Sequence, residues 1–293
     1  MYPIDLNTGF HIFYYYEGLY YLISVAVAYA WAAHRVKRYG METDRLTEYV
    51  IASIAGAILG GRISHFLFWQ PSLLISDPLA FFRIWDGGMS ITGGLAGGII
   101  GARLCFIGRK QDFWQFFAAL SPAVLLGQAV GRVGCFLNGD AWGIRTDLPW
   151  GVRFPKFGIL IPGFKRDNLV PGYAWDWAKS RGLVSNGDMY TPPLHPTQLY
   201  ESLGDMLLMA AILFLIHRIG FKSSGKKVAL FHIGGYSLLR FLLQFIHGDR
   251  GVIVWRGMSA LQLCLLAVII ISVLITVISR HARTSPFRMN PLD

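Results

Sequence analysis

The sequence predicts an all-α integral membrane protein of about seven transmembrane helices, with its N-terminus outside and its C-terminus in the cytoplasm. Three observations carry that prediction. The 293 residues are 54% hydrophobic and only 15% charged, and the apolar residues fall in long runs rather than in the amphipathic stripes of a soluble domain. Windows of about 20 residues pass with at most two charges, enough as helix to cross roughly 30 Å of hydrocarbon. Lysine and arginine collect on alternate connections, which sets the direction of threading.

The seven windows run over residues 13–33, 49–69, 88–107, 113–137, 197–216, 228–247 and 258–279. No lysine or arginine precedes the first window and a basic cluster follows it, so it reads as an anchor rather than a cleaved signal. Arg35, Lys37, Arg38 and Arg45 follow the first window, Arg109 and Lys110 the third, Arg218, Lys222, Lys226 and Lys227 the fifth, and Arg280, Arg283 and Arg288 the seventh. The short opposite connections carry only Arg83, Arg250 and Arg256. Basic residues mark the cytoplasmic side, so odd-numbered helices run inward.

The longest connection, residues 138–195 between helices four and five, counts little in that rule and is placed outside. It holds Trp142, Trp150, Trp175 and Trp177 among prolines and glycines, a composition suited to a headgroup-level cap. It is expected to form a small external head or lid inserted into a single transmembrane domain spanning 1–293. The net charge of +10, concentrated on the cytoplasmic rim, suits anionic lipid headgroups better than nucleic acid. Cys105, Cys135 and Cys264 form no disulfide framework and no metal-ligand spacing, so no metal or soluble cofactor is expected. The halves show no matched pair of broken helices, which weighs against an inverted-repeat transporter. Gly93, Gly97 and Gly101 recur four apart, as do Gly56, Gly60 and Ser64, stripes that let helix backbones approach closely.

Chemistry is expected at the charges inside the apolar windows. Arg62, Arg103, Arg132 and Arg240 all fall there, and a charge at lipid depth faces a polar cavity or a partner because exposure to hydrocarbon costs a few kcal/mol. Arg103 sits close enough to a helix end to snorkel. Arg62, Arg132 and Arg240 can converge on one anionic group, and a phospholipid phosphate suits them, since the planar guanidinium donates two hydrogen bonds to one phosphate and keeps its charge when buried.

Around Arg132 the sequence reads GRVGCFLNGDAWG over residues 131–143. This stretch resembles the GRxGNFxNxExxG signature of the bacterial prolipoprotein diacylglyceryl transferases. Other segments agree in order along nearly the whole chain: LGGRISHFLF at 59–68, FRIWDGGMSITGG at 82–94, PWGVRFP at 149–155, HPTQLYE at 195–201 and GGYSLLRFLLQF at 234–245. The resemblance implies an enzyme of the bacterial cytoplasmic membrane, active at its outer face. Such an enzyme moves diacylglycerol from phosphatidylglycerol to the lipobox cysteine of a prolipoprotein signal peptide. Arg132 and Arg240 would then bind the lipid phosphate. Asn138, Gly139, Asp140, Gly143 and Tyr236 would shape the polar cavity, with Arg62 and Thr92 beside the substrate, and Gly93 and Gly94 would let substrate approach the backbone.

The reaction also needs a group to take the thiol proton, because a thiol with a reference pKa of about 8.5 is only a few percent ionised at neutral pH. The family usually carries histidine at the position of Thr92, which threonine cannot replace as a base. His195 is the remaining candidate, at a reference pKa of about 6.5, although a histidine before proline can equally cap a helix start. Further departures fall at Cys135, Asp140 and Gln244, where the family usually has asparagine, glutamate and glutamate. At position 17 Glu17 stands where tyrosine is usual and can supply the carboxylate that Arg240 lacks. Two alternatives stay open on these residues: a related enzyme with a different acceptor, and a phospholipid- or prolipoprotein-binding protein without catalysis. An anion channel is a weaker third, since no basic ring or repeat supports it.

Overall fold

The computed structural model describes residues 16–68, 73, 76–83, 91–107, 112–156, 172–248, 250 and 253–284. Long helices occupy every window that the sequence marks: α1 (Tyr16–Arg38), α2 (Asp44–Phe68), α3 (Ile91–Leu104), α4 (Phe113–Asn138), α6 (Thr197–Ile219), α7 (Gly225–Leu243) and α8 (Ala260–Thr284). A short helix, α5 (Tyr173–Ser180), lies in the long connection. Four of them, α2, α4, α6 and α8, are long and apolar enough to cross a membrane by length and composition. The protein is therefore an all-α, multi-pass membrane protein. The one sheet among the described residues is the hairpin of β1 (Ile253–Trp255) and β2 (Met258–Ser259). Its two turn residues, Arg256 and Gly257, both have positive φ (45° and 79°), the twist that a two-residue hairpin loop requires. The last helix accordingly starts at Ala260, two residues after the expected 258.

The chain forms two compact units. One comprises Ala32–Leu120, and the other the chain up to Trp31 together with Ser121 onward. In the Ala32–Leu120 unit, α2 and α3 meet backbone to backbone along the two glycine stripes. A Cβ on Gly97 would lie 2.1 Å from the Gly56 carbonyl oxygen, and one on Gly93 would lie 2.3 Å from that of Gly60. No larger residue fits this contact, as expected where van der Waals packing rather than a hydrophobic driving force joins helices in lipid. Beside it Tyr49, Phe106, Phe113 and Phe116 form an aromatic cluster. The Arg103 guanidinium lies 5.6 Å from the Phe113 ring. The buried Arg35 on α1 donates from Nε to the Ala119 carbonyl at 2.8 Å.

In the other unit the start of α1 packs on a third small-residue stripe, Gly127, Gly131 and Gly134 of α4. A Cβ on Gly134 would strike the Tyr20 ring at 2.2 Å, and one on Gly127 would meet Ala28 at 2.8 Å. Helices α6 and α7 interlock through single glycines: Gly204 faces Leu239 and Gly235 faces Leu208. Asp205 at the centre of α6 is fully buried.

The described parts of the long connection carry a small core of their own. Phe154, Ala174 and Leu194 are buried, with Phe136, Trp142, Val152 and Trp177 packed around them. Short antiparallel bridges pair Arg145 and Val152 with Leu194, and Pro155 with Tyr190. Trp175 is buried, donates from Nε1 to the Asp188 carbonyl at 3.0 Å, and has Lys156 Nζ 4.5 Å from its ring centroid. These contacts tie residues 142–156 and 172–194 into one packed cluster.

Candidate active site

The charged centre of the Ser121-onward unit is built from three helices, the last of which contributes two residues one turn apart. Arg132 comes from α4, Glu201 from α6, and Tyr236 and Arg240 from α7. Arg132 Nη2 lies 2.9 Å from Glu201 Oε1, and Arg240 Nη1 donates to Glu201 Oε2 at 2.6 Å. The Tyr236 hydroxyl is the third donor to this carboxylate, reaching Oε1 at 3.2 Å. One carboxylate thus holds two guanidinium groups that would otherwise repel each other in a medium of low dielectric.

Exposure divides the roles. The Glu201 side chain is 3% exposed, while Arg132 keeps 25% and Arg240 16%. The acid is sealed in and both cations retain an open edge. Each guanidinium has five N–H donors in a fixed fork, and each is joined to Glu201 through a single terminal nitrogen. The arrangement suits an oxyanion, above all a phosphate that accepts from both forks.

Local backbone geometry aims the residues at the end of α4. The chain leaves the helix through Gly139 (φ 77°) and Ala141 (φ 54°), and the start of α6 holds that turn in place. Thr197 Oγ1 donates to the Ala141 carbonyl at 2.7 Å and Gln198 Nε2 to that of Asp140 at 2.5 Å. Asp140 accepts from the Tyr20 hydroxyl at 3.0 Å, and the buried Cys135 lies beside that carboxylate. Gly143 donates to the His195 carbonyl at 2.9 Å, and a Cβ there would sit 2.5 Å from His195 Cβ. The motif glycine is needed for that approach.

His195 stands just before α6 with Nδ1 3.3 Å from the Tyr200 hydroxyl, and that hydroxyl accepts from Trp150 Nε1 at 2.7 Å. Burial lowers the imidazole pKa below its usual value, so the ring is neutral at physiological pH and able to accept a proton. Among the residues that the sequence marks, Arg132, Arg240 and Tyr236 come together, and Asp140, Gly139, Gly143 and His195 line the adjoining α4 exit and α6 start. Arg62 belongs to the other unit. Its Nε donates to the Phe81 carbonyl at 2.9 Å and its Nη2 to those of Ala80 and Arg83, and it is 3% exposed. Gly93 is taken up by Gly60 and Ser64 of α2, whereas the nearest atom to a Cβ on Gly94 is the Ala57 carbonyl oxygen at 3.5 Å. The side chains of Glu17, Thr92 and Asn138 lie outside the described residues.

The sequence reading passed over Glu201 and Asp205. The signal was present, since both are acids inside the fifth apolar window, where a charge of either sign calls for a partner. The carboxylate for Arg240, sought at Glu17 or position 244, comes from Glu201 instead. Tyr20, which donates to Asp140, lies in the first window at a position that no motif marked.

The family model described as prolipoprotein diacylglyceryl transferase matches residues 3–278 of the chain. A protein of Pseudoalteromonas atlantica named phosphatidylglycerol–prolipoprotein diacylglyceryl transferase is 34% identical over 247 residues, 83% of this chain and 75% of the relative. One of the same name from Bordetella parapertussis is 32% identical over 246 residues, covering 83% and 81%. Another, from Stenotrophomonas maltophilia, is 30% identical over 290 residues, covering 96% and 92%.

Proposed function

The chain belongs to the prolipoprotein diacylglyceryl transferase family, and we propose that it carries out the transfer its relatives are named for. Diacylglyceryl passes from phosphatidylglycerol to the cysteine thiol of a prolipoprotein. The observation that carries this reading is the pair of partly open guanidinium groups, Arg132 and Arg240, held on the sealed Glu201 carboxylate. In the reaction the cysteine sulfur attacks the glycerol carbon that bears the phosphate. A C–S bond forms, the C–O bond to phosphate breaks, and glycerol phosphate leaves with the bonding electrons. Arg132 and Arg240 bind the phosphate and stabilise the negative charge that grows on it as the bond breaks. Glu201 and Tyr236 hold the two forks at a fixed separation, so little reorganisation is needed at the moment of reaction.

The thiol proton goes to His195. In the tautomer that carries its proton on Nδ1, facing the Tyr200 oxygen, the Nε2 lone pair accepts it, and Trp150 holds the Tyr200 hydroxyl in place. Seven crossings with the N-terminus outside put the 138–195 head and the mouth of the site on the outer face of a bacterial cytoplasmic membrane, where the lipobox cysteine of a signal peptide arrives. The reaction needs no soluble cofactor.

Complementation tests the reading. The chain is expressed in bacteria depleted of their own diacylglyceryl transferase, and the reporter lipoprotein is followed by mass spectrometry. The expected outcome is growth with diacylglycerol on the reporter cysteine. An unmodified reporter in cells that contain the inserted protein would overturn the proposal.

A further inference from the structure

One turn away from the charged centre, the structure leaves buried acceptors without hydrogen-bond partners on two helices at once. Asp205 follows Glu201 by four residues on α6, is 0% exposed, and has no hydrogen-bond partner at either carboxyl oxygen. Gln128 precedes Arg132 by four residues on α4, and its side-chain carbonyl oxygen is likewise buried and unpartnered. Spacing of four places each on the same helix face as its charged neighbour. The two helices run antiparallel, with Arg132 at Glu201 and the Ala129 carbonyl accepting from Ser202 Oγ at 2.9 Å. Gln128 and Asp205 therefore reach the same level, on the same side of the arginine pair.

A buried acceptor with no donor bears its full desolvation cost, so such atoms call for a ligand. Three acceptor atoms select one that offers O–H groups. A metal cation is disfavoured because Arg132 and Arg240 lie within electrostatic range of Asp205. A thiol offers a single weak donor, whereas a vicinal diol offers two strong ones. If Arg132 and Arg240 take the phosphate of phosphatidylglycerol, the hydroxyls of its headgroup glycerol lie a few bonds further on, close to the helical rise of about 6 Å that separates Glu201 from Asp205.

We propose that Asp205 and Gln128 form the headgroup subsite of the donor lipid and select glycerol by accepting the hydrogen bonds of its two hydroxyls. This rests on the transfer reading above for the identity of the lipid. The subsite discriminates against phospholipids that keep the phosphate but lack headgroup hydroxyls, because their binding leaves the acceptors unpartnered.

The test compares phosphatidylglycerol with phosphatidylpropanol, which differs only in lacking those hydroxyls, using the purified full-length protein in vesicles and a lipobox peptide as acceptor. The readouts are the ratio of kcat/KM values for the two lipids and, independently of turnover, their relative binding by native mass spectrometry. The wild type is expected to favour phosphatidylglycerol by about tenfold or more, the scale of a hydrogen bond to a charged group. Asp205→Asn, and separately Gln128→Met, should bring the ratio toward one. A ratio that stays at its wild-type value in both variants overturns the subsite, as does a fall of both lipids in parallel, which would assign Asp205 to the thiol proton. Preferential binding that Asp205→Asn abolishes, with no transfer to peptide by any form, would uphold the headgroup subsite and overturn the transfer reading instead.

Discussion

Arg62 and the Arg132–Arg240 pair are the same residue type at comparable positions in apolar segments, yet their surroundings use them differently. Arg62 is closed off by the backbone carbonyls of Ala80, Phe81 and Arg83 and by the face of Phe66, 4.9 Å from its guanidinium carbon. Fixed dipoles take up its donors, and the result is a clamp that holds the short 3-10 turn over Pro78–Phe82 on the end of α2. Arg132 and Arg240 instead share one carboxylate and keep an open edge. An arginine saturated by the backbone holds a fold, and an arginine held on a minority of its donors can bind something else.

That contrast can be broken by mutation, and the largest effect is expected at Arg132. Arg132→Ala should abolish transfer to a reporter lipoprotein while the protein remains inserted and folded, and retained turnover would remove Arg132 from the site. Next comes Glu201→Gln. Losing one partner of a buried ion pair costs about 3–5 kcal/mol, so kcat/KM should fall by about two to four powers of ten. Glu201→Asp, which keeps the charge, should recover part of it, and equal losses in the two variants would show that charge is not what Glu201 contributes.

Arg62→Met should act in the opposite sense. The loss of its hydrogen bonds to buried carbonyls should lower stability by about 1.5–3 kcal/mol, seen as a lower Tm, with turnover per folded molecule retained. Normal stability with lost turnover would make Arg62 a phosphate ligand after all. The smallest effect is expected at His195. Its pKa is lowered by burial, so the acid limb of the pH–rate profile, which rises as the imidazole deprotonates, should lie below about pH 6.5 and be flat above it. His195→Gln should flatten that limb, and an unchanged profile would assign the proton to another group.

The glycine contact between α2 and α3 was legible from spacing because packing in lipid requires small residues at fixed intervals. The third stripe, Gly127, Gly131 and Gly134, carries the same information at spacings of four and three, and its partners Tyr20, Ser24 and Ala28 were hidden because only one side of that contact is glycine. The cations of the site were legible for a related reason, since a charge in an apolar run stands out. Glu201 and Asp205 were equally conspicuous by type, but Glu201 ends a motif whose histidine drew the attention and Asp205 lies four residues beyond it.

By itself the sequence determined the membrane class, the order and approximate extent of the helices, the family, and the presence of buried arginines, because hydrophobicity and charge are local properties of a segment. Only the tertiary structure decided which arginine does what. Pairing depends on which helices are neighbours and at what register. It was the antiparallel fit of α4 on α6, with Glu201 beside Arg132 and Ser202 on Ala129, that turned isolated charges into one centre and left Asp205 buried beside it without a partner.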